Sequence, residues 1–391
     1  MNLKTGKVKI GNLQWRTEIF RPEPGELEHF PLKVLLMTPN IPDYRLDIYN
    51  ELGSFLNLTI LHNGEEIIDP DNNFNQICYR IRKIGPFTYL SKNIHRICQR
   101  YDVVISESNI RHIDRDLLIL NPFRSYKWIS WGIGVSASYN KRYDSDRSLS
   151  FIRNYIFKHA DANVFYSSYP IKKYLKAGFH KDSLFVANNT TSVSFNENAK
   201  FLKRKLLFVG TLYRQKKIFE LLNSYKEAFL ICDTIFPLDI IGDGPEFGVI
   251  QQWIIENHFQ NKIQLHGSIY DKSILERHFR EAYACISPGQ AGLSVLTSMG
   301  YGTPFITRKD AITGGEIFNI ANNITGILYN YDDELKSIIL EITHNPEKFI
   351  KMGKIARNYY LQNRQVKNMV EGFTAAIKFV LIKNKTFNRN A

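Results

Sequence analysis

Apolar and polar positions alternate along this chain in two successive series. The first begins after Pro31, where Lys33-Val34-Leu35-Leu36-Met37 ends in Thr38-Pro39-Asn40. A short apolar run closed by a turn is the pattern of a strand buried on both faces. Residues 43–56 then carry Leu46, Tyr49, Leu52 and Leu56 at helical spacing, and Leu58–Leu61 is the next strand. Further strands are predicted at Val103–Ile105, Lys127–Trp131, Ala162–Tyr166 and Leu184–Ala187. Residues 188–204 are polar and interrupt the series, as a linker would. It restarts at Lys205–Gly210 and runs through Leu238–Ile241, Ile263–His266, Ala284–Ser287 and Phe305–Thr307. Strands alternating with helices build parallel sheets covered on both faces. The predicted organisation is an N-terminal extension (1–30), one α/β domain over 31–197, a second over 198–365 and a helical segment over 366–391.

The length of 391 residues agrees with two cores, and 44% apolar with 23% charged residues is a globular composition. The formal charge of +13 changes the picture more, because it draws anionic partners: nucleic acid, an anionic membrane leaflet or phosphorylated small molecules. The basic residues are spread in short clusters such as Arg80-Ile81-Arg82-Lys83, without a nucleic-acid recognition motif, so nucleic acid is not expected. Those in 80–100 and 111–127 are candidates to face a leaflet. Cys78, Cys98, Cys232 and Cys285 have no metal-ligand or disulfide spacing, which reads as a reducing compartment with no metal. No stretch approaches the ~20 apolar residues of a membrane span. The expected location is the cytoplasm, against the inner face of the membrane at most. Asp114-Arg115-Asp116 and Asp144-Ser145-Asp146, the acidic pairs a metal-dependent transferase would need, lie in polar stretches and read as solvated charge.

Four turns of the second series follow strands, where an open parallel sheet binds ligands. Gly210 closes the first strand and precedes Arg214 and Lys216, which can reach anionic oxygens. Ile241-Gly242-Asp243-Gly244-Pro245 is a second tight turn. His266-Gly267-Ser268-Ile269 is a third, with a backbone that can pair with a base edge. The fourth, Ser287-Pro288-Gly289-Gln290-Ala291-Gly292-Leu293, runs into a helix predicted to begin near Leu293 and end at Gly302. Its small residues leave amides bare for an anion.

These turns, in this order and spacing, resemble the retaining group 1 (family four) glycosyltransferases of GT-B fold, over residues ~32–380. The resemblance implies two facing Rossmann-like domains, with the C-terminal segment returning to the first. It implies transfer of a hexose or N-acetylhexosamine from a nucleotide-sugar donor to a glycan or lipid-linked acceptor, without a cofactor or metal. Matched residue by residue, Gly210, Arg214, Lys216, Gly292 and Leu293 would hold the diphosphate. Gly289, Gln290 and Ala291 would meet the donor sugar, and Ser268, Ile269, Ser294 and Thr297 the base and ribose. Tyr44, Arg45 and Asn109 would lie on the acceptor side, with Asp43 and Glu107 as further polar groups. Glu316 resembles the family's downstream acidic position, and Ile133 stands where relatives place a histidine. The family's two glutamates, eight positions apart, are replaced by Gly289 and Thr297. That departure leaves a second reading, a GT-B protein that binds nucleotide sugars with little or no catalysis.

Overall fold

The computed structural model describes residues 32–90, 94–107, 109–136, 143–144 and 150–387, the last five of these as backbone only. The expected extension over 1–30 lies outside them. The first series forms β1 (Lys33–Met37), α1 (Asp43–Gly53), β2 (Asn57–His62), β3 (Asn75–Cys78), β4 (Ile81–Ile84), β5 (Phe87–Leu90) and α2 (Ile94–Cys98). It continues with β6 (Val103–Glu107), α3 (Ile113–Leu120), β7 (Lys127–Gly132), α4 (Ser150–Lys158), β8 (Ala162–Phe165), α5 (Ile171–Lys176) and β9 (Leu184–Val186). Seven of these strands make one parallel sheet in the order β3-β2-β1-β6-β7-β8-β9. The apolar runs sit where they do because both faces are covered: Val34 to Met37, all fully buried, alternate between the cores on the two sides of the sheet.

The second series forms β10 (Lys205–Val209), α6 (Ile218–Ile231), β11 (Leu238–Ile241), α7 (Phe247–Glu256), β12 (Ile263–Leu265), α8 (Lys272–Glu281) and β13 (Ala282–Ile286). It ends with β14 (Gln290–Ala291), α9 (Ser294–Gly300), β15 (Phe305–Arg308), β16 (Ile312–Thr313), β17 (Gly326–Tyr329), α10 (Asp332–His344) and α11 (Pro346–Asn363). The second sheet has the order β12-β11-β10-β13-β15-β17, all parallel. α12 (Val366–Phe387) then lies across β7, β8 and β9 of the first sheet. It buries Met369, Phe373 and Ile377 there, with Phe373 edge-on to Trp131 at 5.0 Å.

Both sheets change strand order once, between β1 and β6 and between β10 and β13. Turns leaving the carboxyl ends of neighbouring strands diverge at such a point and leave a crevice. The loops after β1 and β6, and those after β10 and β13, therefore flank the two crevices.

Several features add to the sequence reading or depart from it. The β4–β5 hairpin, β3, β17 and the two-residue β14–β16 ladder were not expected. The polar segment 188–204, read as a linker, is anchored: Thr190 hydroxyl donates to the Arg364 carbonyl, and Tyr360 hydroxyl to the Thr191 carbonyl at 2.7 Å. Asp114-Arg115-Asp116 is not solvated: Arg115 and Asp116 are buried in α3, and Asp114 accepts the Leu90 amide at 2.7 Å. Burial, with Asp114 beside it, raises the Asp116 carboxyl to about 7. Asp144 is held by Tyr169 and Lys173, while Ser145 and Asp146 lie outside the described residues. Of the bases expected to face a leaflet, Arg115 is buried and Arg124 is tied to Asp161 at 2.6 Å.

Candidate functional site

At the crevice of the second sheet, two segments are stitched together. After β10, Gly210 adopts φ +152°, and a side chain there would lie 2.8 Å from Lys216 Nζ. The turn then tightens through a 3-10 element at Arg214–Lys216. The Gly289 amide donates to the Lys216 carbonyl at 3.0 Å, and the Gly289 carbonyl accepts the Ile312 amide at 2.9 Å. The loop after β13 is thus fixed against the loop after β10.

Lys216 is 7% exposed, and no hydrogen-bond acceptor or carboxylate meets its ammonium among the described residues. The Tyr213 ring lies 5.8 Å from Nζ to centroid. Burial pushes the ammonium down to about 8. A buried cation without a counter-ion is costly unless a ligand supplies the charge. Arg214 is exposed beside it. Gly292, Leu293 and Ser294 open the first turn of α9, and their amides find no protein acceptor among the described residues.

The remaining site residues divide. Gln290 is half-buried, its amide oxygen accepts the Tyr213 hydroxyl, and it lines the main cleft. Gly289 and Ala291, expected to meet the donor sugar, are buried instead. The Gly289 amide and carbonyl are spent on Lys216 and Ile312, and Ala291 is locked in the β14–β16 ladder. Gly289 is therefore not one of the bare amides. Thr297 turns its hydroxyl back to the Leu293 carbonyl at 3.2 Å. Ser268 is exposed and Ile269 half-buried in the loop after β12.

The main cleft has a volume of about 740 Å³ and joins both halves of the chain. The first half contributes Glu107, Asn109, Arg111, the turn Gly132–Ser136, Arg153 and Tyr174; the second contributes Gln290 and Ile312–Gly314. Asn109, expected on the acceptor side, is in this wall. Tyr44 is exposed. Arg45 is not available to an acceptor: it is 5% exposed, and its guanidinium lies 5.2–5.4 Å from the ring centroids of Tyr44, Trp131 and Tyr166. It donates to Asn189 Oδ1 at 2.6 Å, and Asn189 Nδ2 donates to Glu316 Oε1 at 2.5 Å. Glu316 also accepts the Gly314 amide at 2.8 Å. Arg45, Asn189 and Glu316 thus form a buried chain that ties α1 to a loop of the cleft.

Sequence reasoning missed a second buried network, at the far side of β11. Asp239 accepts from Lys205 Nζ (2.6 Å), pairs with His278 Nδ1 (2.8 Å) and lies 3.2 Å from His266 Nε2. Burial alone would raise the Asp239 carboxyl, but the bonds to His278 and Lys205 win and hold it well below the usual range. Asp239, His266 and His278 are metal-ligand types, yet the Lys205 ammonium, 3.0 Å from His278 Nδ1, stands among them. The network holds His266, which opens the turn carrying Ser268 and Ile269. Its members are too scattered in sequence for any spacing to reveal them.

Residues 191–359 match the family of glycosyl transferases group 1. The match spans less than half of the chain. Its architecture matches solved glycosyltransferases of GT-B fold. HepE of Anabaena, solved with UDP, superimposes with a TM-score of 0.67 at 12% identity, over 89% of this chain and 100% of that one. A glycosyltransferase of Rickettsia africae gives 0.67 at 15% identity, over 90% and 98%. An uncharacterized 41.2 kDa protein in the cps region of Klebsiella pneumoniae is 24% identical over 246 residues, 58% of this chain and 64% of that protein. No helix among the described residues is long and apolar enough to cross a membrane.

Proposed function

We propose that this protein is a glycosyl transferase that moves a hexose or N-acetylhexosamine from a UDP-sugar to a glycan or lipid-linked acceptor, with retention, in the assembly of a surface polysaccharide. One observation carries the donor side: the buried Lys216 ammonium at the second sheet's crevice, without a counter-ion, beside the amides of Gly292–Ser294. Lys216 and Arg214 would neutralise the diphosphate, so the reading needs no metal or cofactor. The turn at Ser268–Ile269 would read the base and Gln290 the sugar. The uridine base is supported by HepE, whose structures hold UDP and UDP-glucose. The polysaccharide role is supported by the cps-region relative. The acceptor would enter from the first half, between residues 31 and 197, where Asn109 and Glu107 line the cleft.

The test is a thermal-shift panel of nucleotide sugars. A ligand at 100 times its Kd that binds only the folded state adds about 2.7 kcal/mol, which raises Tm by several degrees. UDP-glucose or UDP-N-acetylglucosamine is expected to give this shift and GDP-mannose none; a panel without any shift sinks the donor site. Gly289 and Thr297 at the glutamate positions favour the second reading, a binding protein with weak or no catalysis. Shift by a UDP-sugar without its hydrolysis or transfer to any acceptor extract would select that reading.

A cytoplasmic location against the inner membrane face is part of the proposal. Ile84 and Phe87 at the β4–β5 tip, Leu117 on α3, and Phe151 and Tyr155 on α4 are all exposed apolar side chains, with Arg82 and Lys83 exposed beside them. The hairpin is joined to α3 through Thr88 and His112, and α3 abuts α4. Bases near an anionic leaflet contribute roughly 1 kcal/mol each. Sedimentation with anionic vesicles at low salt, lost in Phe87→Ser/Lys83→Gln, is the expected result; no sedimentation removes this part.

A further inference from the structure

The wall of the cleft on the first half holds groups that the donor site leaves unused. Arg153, on α4, lines the cleft; its Nε is buried without a hydrogen-bond partner, and no carboxylate pairs with it among the described residues. Tyr174, on α5, lines the same cleft. Its ring is packed between Phe165 and Phe179, at 4.5 and 4.6 Å between centroids, and it is 2% exposed. Its hydroxyl is nonetheless buried without a partner. The Arg153 charge acts on that hydroxyl, partly offsetting its burial. Arg111 is exposed at the rim, also without an ion pair among the described residues. The acid in the wall is Glu107, on β6, whose Oε2 faces His112 Nε2 at 3.8 Å.

A buried polar group without a partner is rare in a native fold, and one that lines a cleft can be satisfied by a ligand. The hydroxyls of a neutral sugar would satisfy Tyr174, but they give no reason for two unpaired guanidinium groups. A guanidinium fork fits an anionic group with two or more oxygens. We propose that the cleft contains an anion subsite, with Arg153 and the Tyr174 hydroxyl at its base and Arg111 at its rim, and that the acceptor carries the anion. The chemistry is that of a phosphate, as on a phosphate-linked saccharide, or of a carboxylate, as on an acidic sugar. The inference rests on the reading that the acceptor enters from the first half.

Three probes with a shared aromatic group separate the cases: phenyl phosphate, phenyl β-glucuronide and phenyl β-glucoside. Each is titrated calorimetrically into the full chain, with and without saturating UDP. One anionic probe is expected to bind about tenfold more tightly than the glucoside, the scale of one charge-assisted bond. Arg153→Gln should abolish that advantage, and Tyr174→Phe, which keeps the ring packing, should reduce it about threefold. UDP binding by both variants reports that they fold. Preference for phenyl phosphate assigns a phosphate-bearing acceptor, and preference for the glucuronide an acidic sugar. Equal affinities, no measurable binding by any probe, or a charge preference that survives Arg153→Gln overturns the subsite. Loss of UDP binding in the wild-type chain would instead overturn the donor reading, and the titrations without UDP would still decide the anion subsite.

Discussion

Replacing Lys216 with alanine is expected to lower kcat/KM for sugar transfer by about 10²–10³, the loss seen when one preorganised charge-stabilising donor is removed from an active site. The leaving group of the proposed reaction is a nucleoside diphosphate, and Lys216 is the buried cation at the crevice where it would lie. No carboxylate meets it among the described residues, and burial, only partly offset by Cys285, pushes its ammonium down to about 8 from 10.5. The sign of the linkage follows. Between about 8 and 10.5 the unfolded chain holds the Lys216 proton and the folded chain does not, so stability rises with pH across that window. Below about 8 the full penalty of the buried charge is present, on the order of 3 kcal/mol. Lys216→Met should therefore be more stable than the wild type at pH 7, and the difference should shrink toward pH 10.5. An arriving diphosphate reverses the shift, so UDP binding at pH 9 should take up a proton, measured by calorimetry in two buffers of different ionisation enthalpy. Wild-type kinetics in Lys216→Ala, with no proton uptake by the wild type, would remove Lys216 from the site.

The parts of this molecule that were legible in sequence are those buried by rule. A parallel strand covered on both faces must be apolar throughout, so Val34–Met37 and Leu206–Phe208 announce themselves, and the turns that follow such strands mark the crevices. The β4–β5 hairpin was illegible because Ile81–Ile84 is largely exposed and has no core face to impose alternation. The β14–β16 ladder is two residues long, below the length at which periodicity exists. Arg45 was misread for a different cause. An arginine after a strand reads as a ligand contact, and only the folded chain shows three aromatic rings and Asn189 closing on it. The closeness of Lys216 to Gly210 was legible because the two are near in sequence. Tyr174 and Arg153 were not, because helices distant in sequence bring them to one cleft.

Gly289→Ala should destabilise the second half of the chain by more than about 4 kcal/mol, and Gly289→Glu should not restore the family's sugar-binding carboxylate. The position is closed by backbone. A Cβ there would lie 2.0 Å from the Gln215 carbonyl oxygen and 2.7 Å from the Lys216 carbonyl carbon, distances at which the main chain itself must move. That movement would break the 3.0 Å bond from the Gly289 amide to Lys216 and shift the ammonium at the crevice. The loop after β13 lies against the loop after β10 with no room for a side chain between them. What faces the cleft as a result is Gln290, one position on, held by the Tyr213 hydroxyl. Thr297 provides the contrast. It stands at the second glutamate position, half-buried in α9, with its hydroxyl bonded within its own helix, so Thr297→Ala should cost under about 1 kcal/mol. Urea denaturation of both variants measures the difference. A Gly289→Ala protein within about 1 kcal/mol of the wild type would show that the two loops can part, and a Gly289→Glu protein with raised transfer would return the sugar contact to that position.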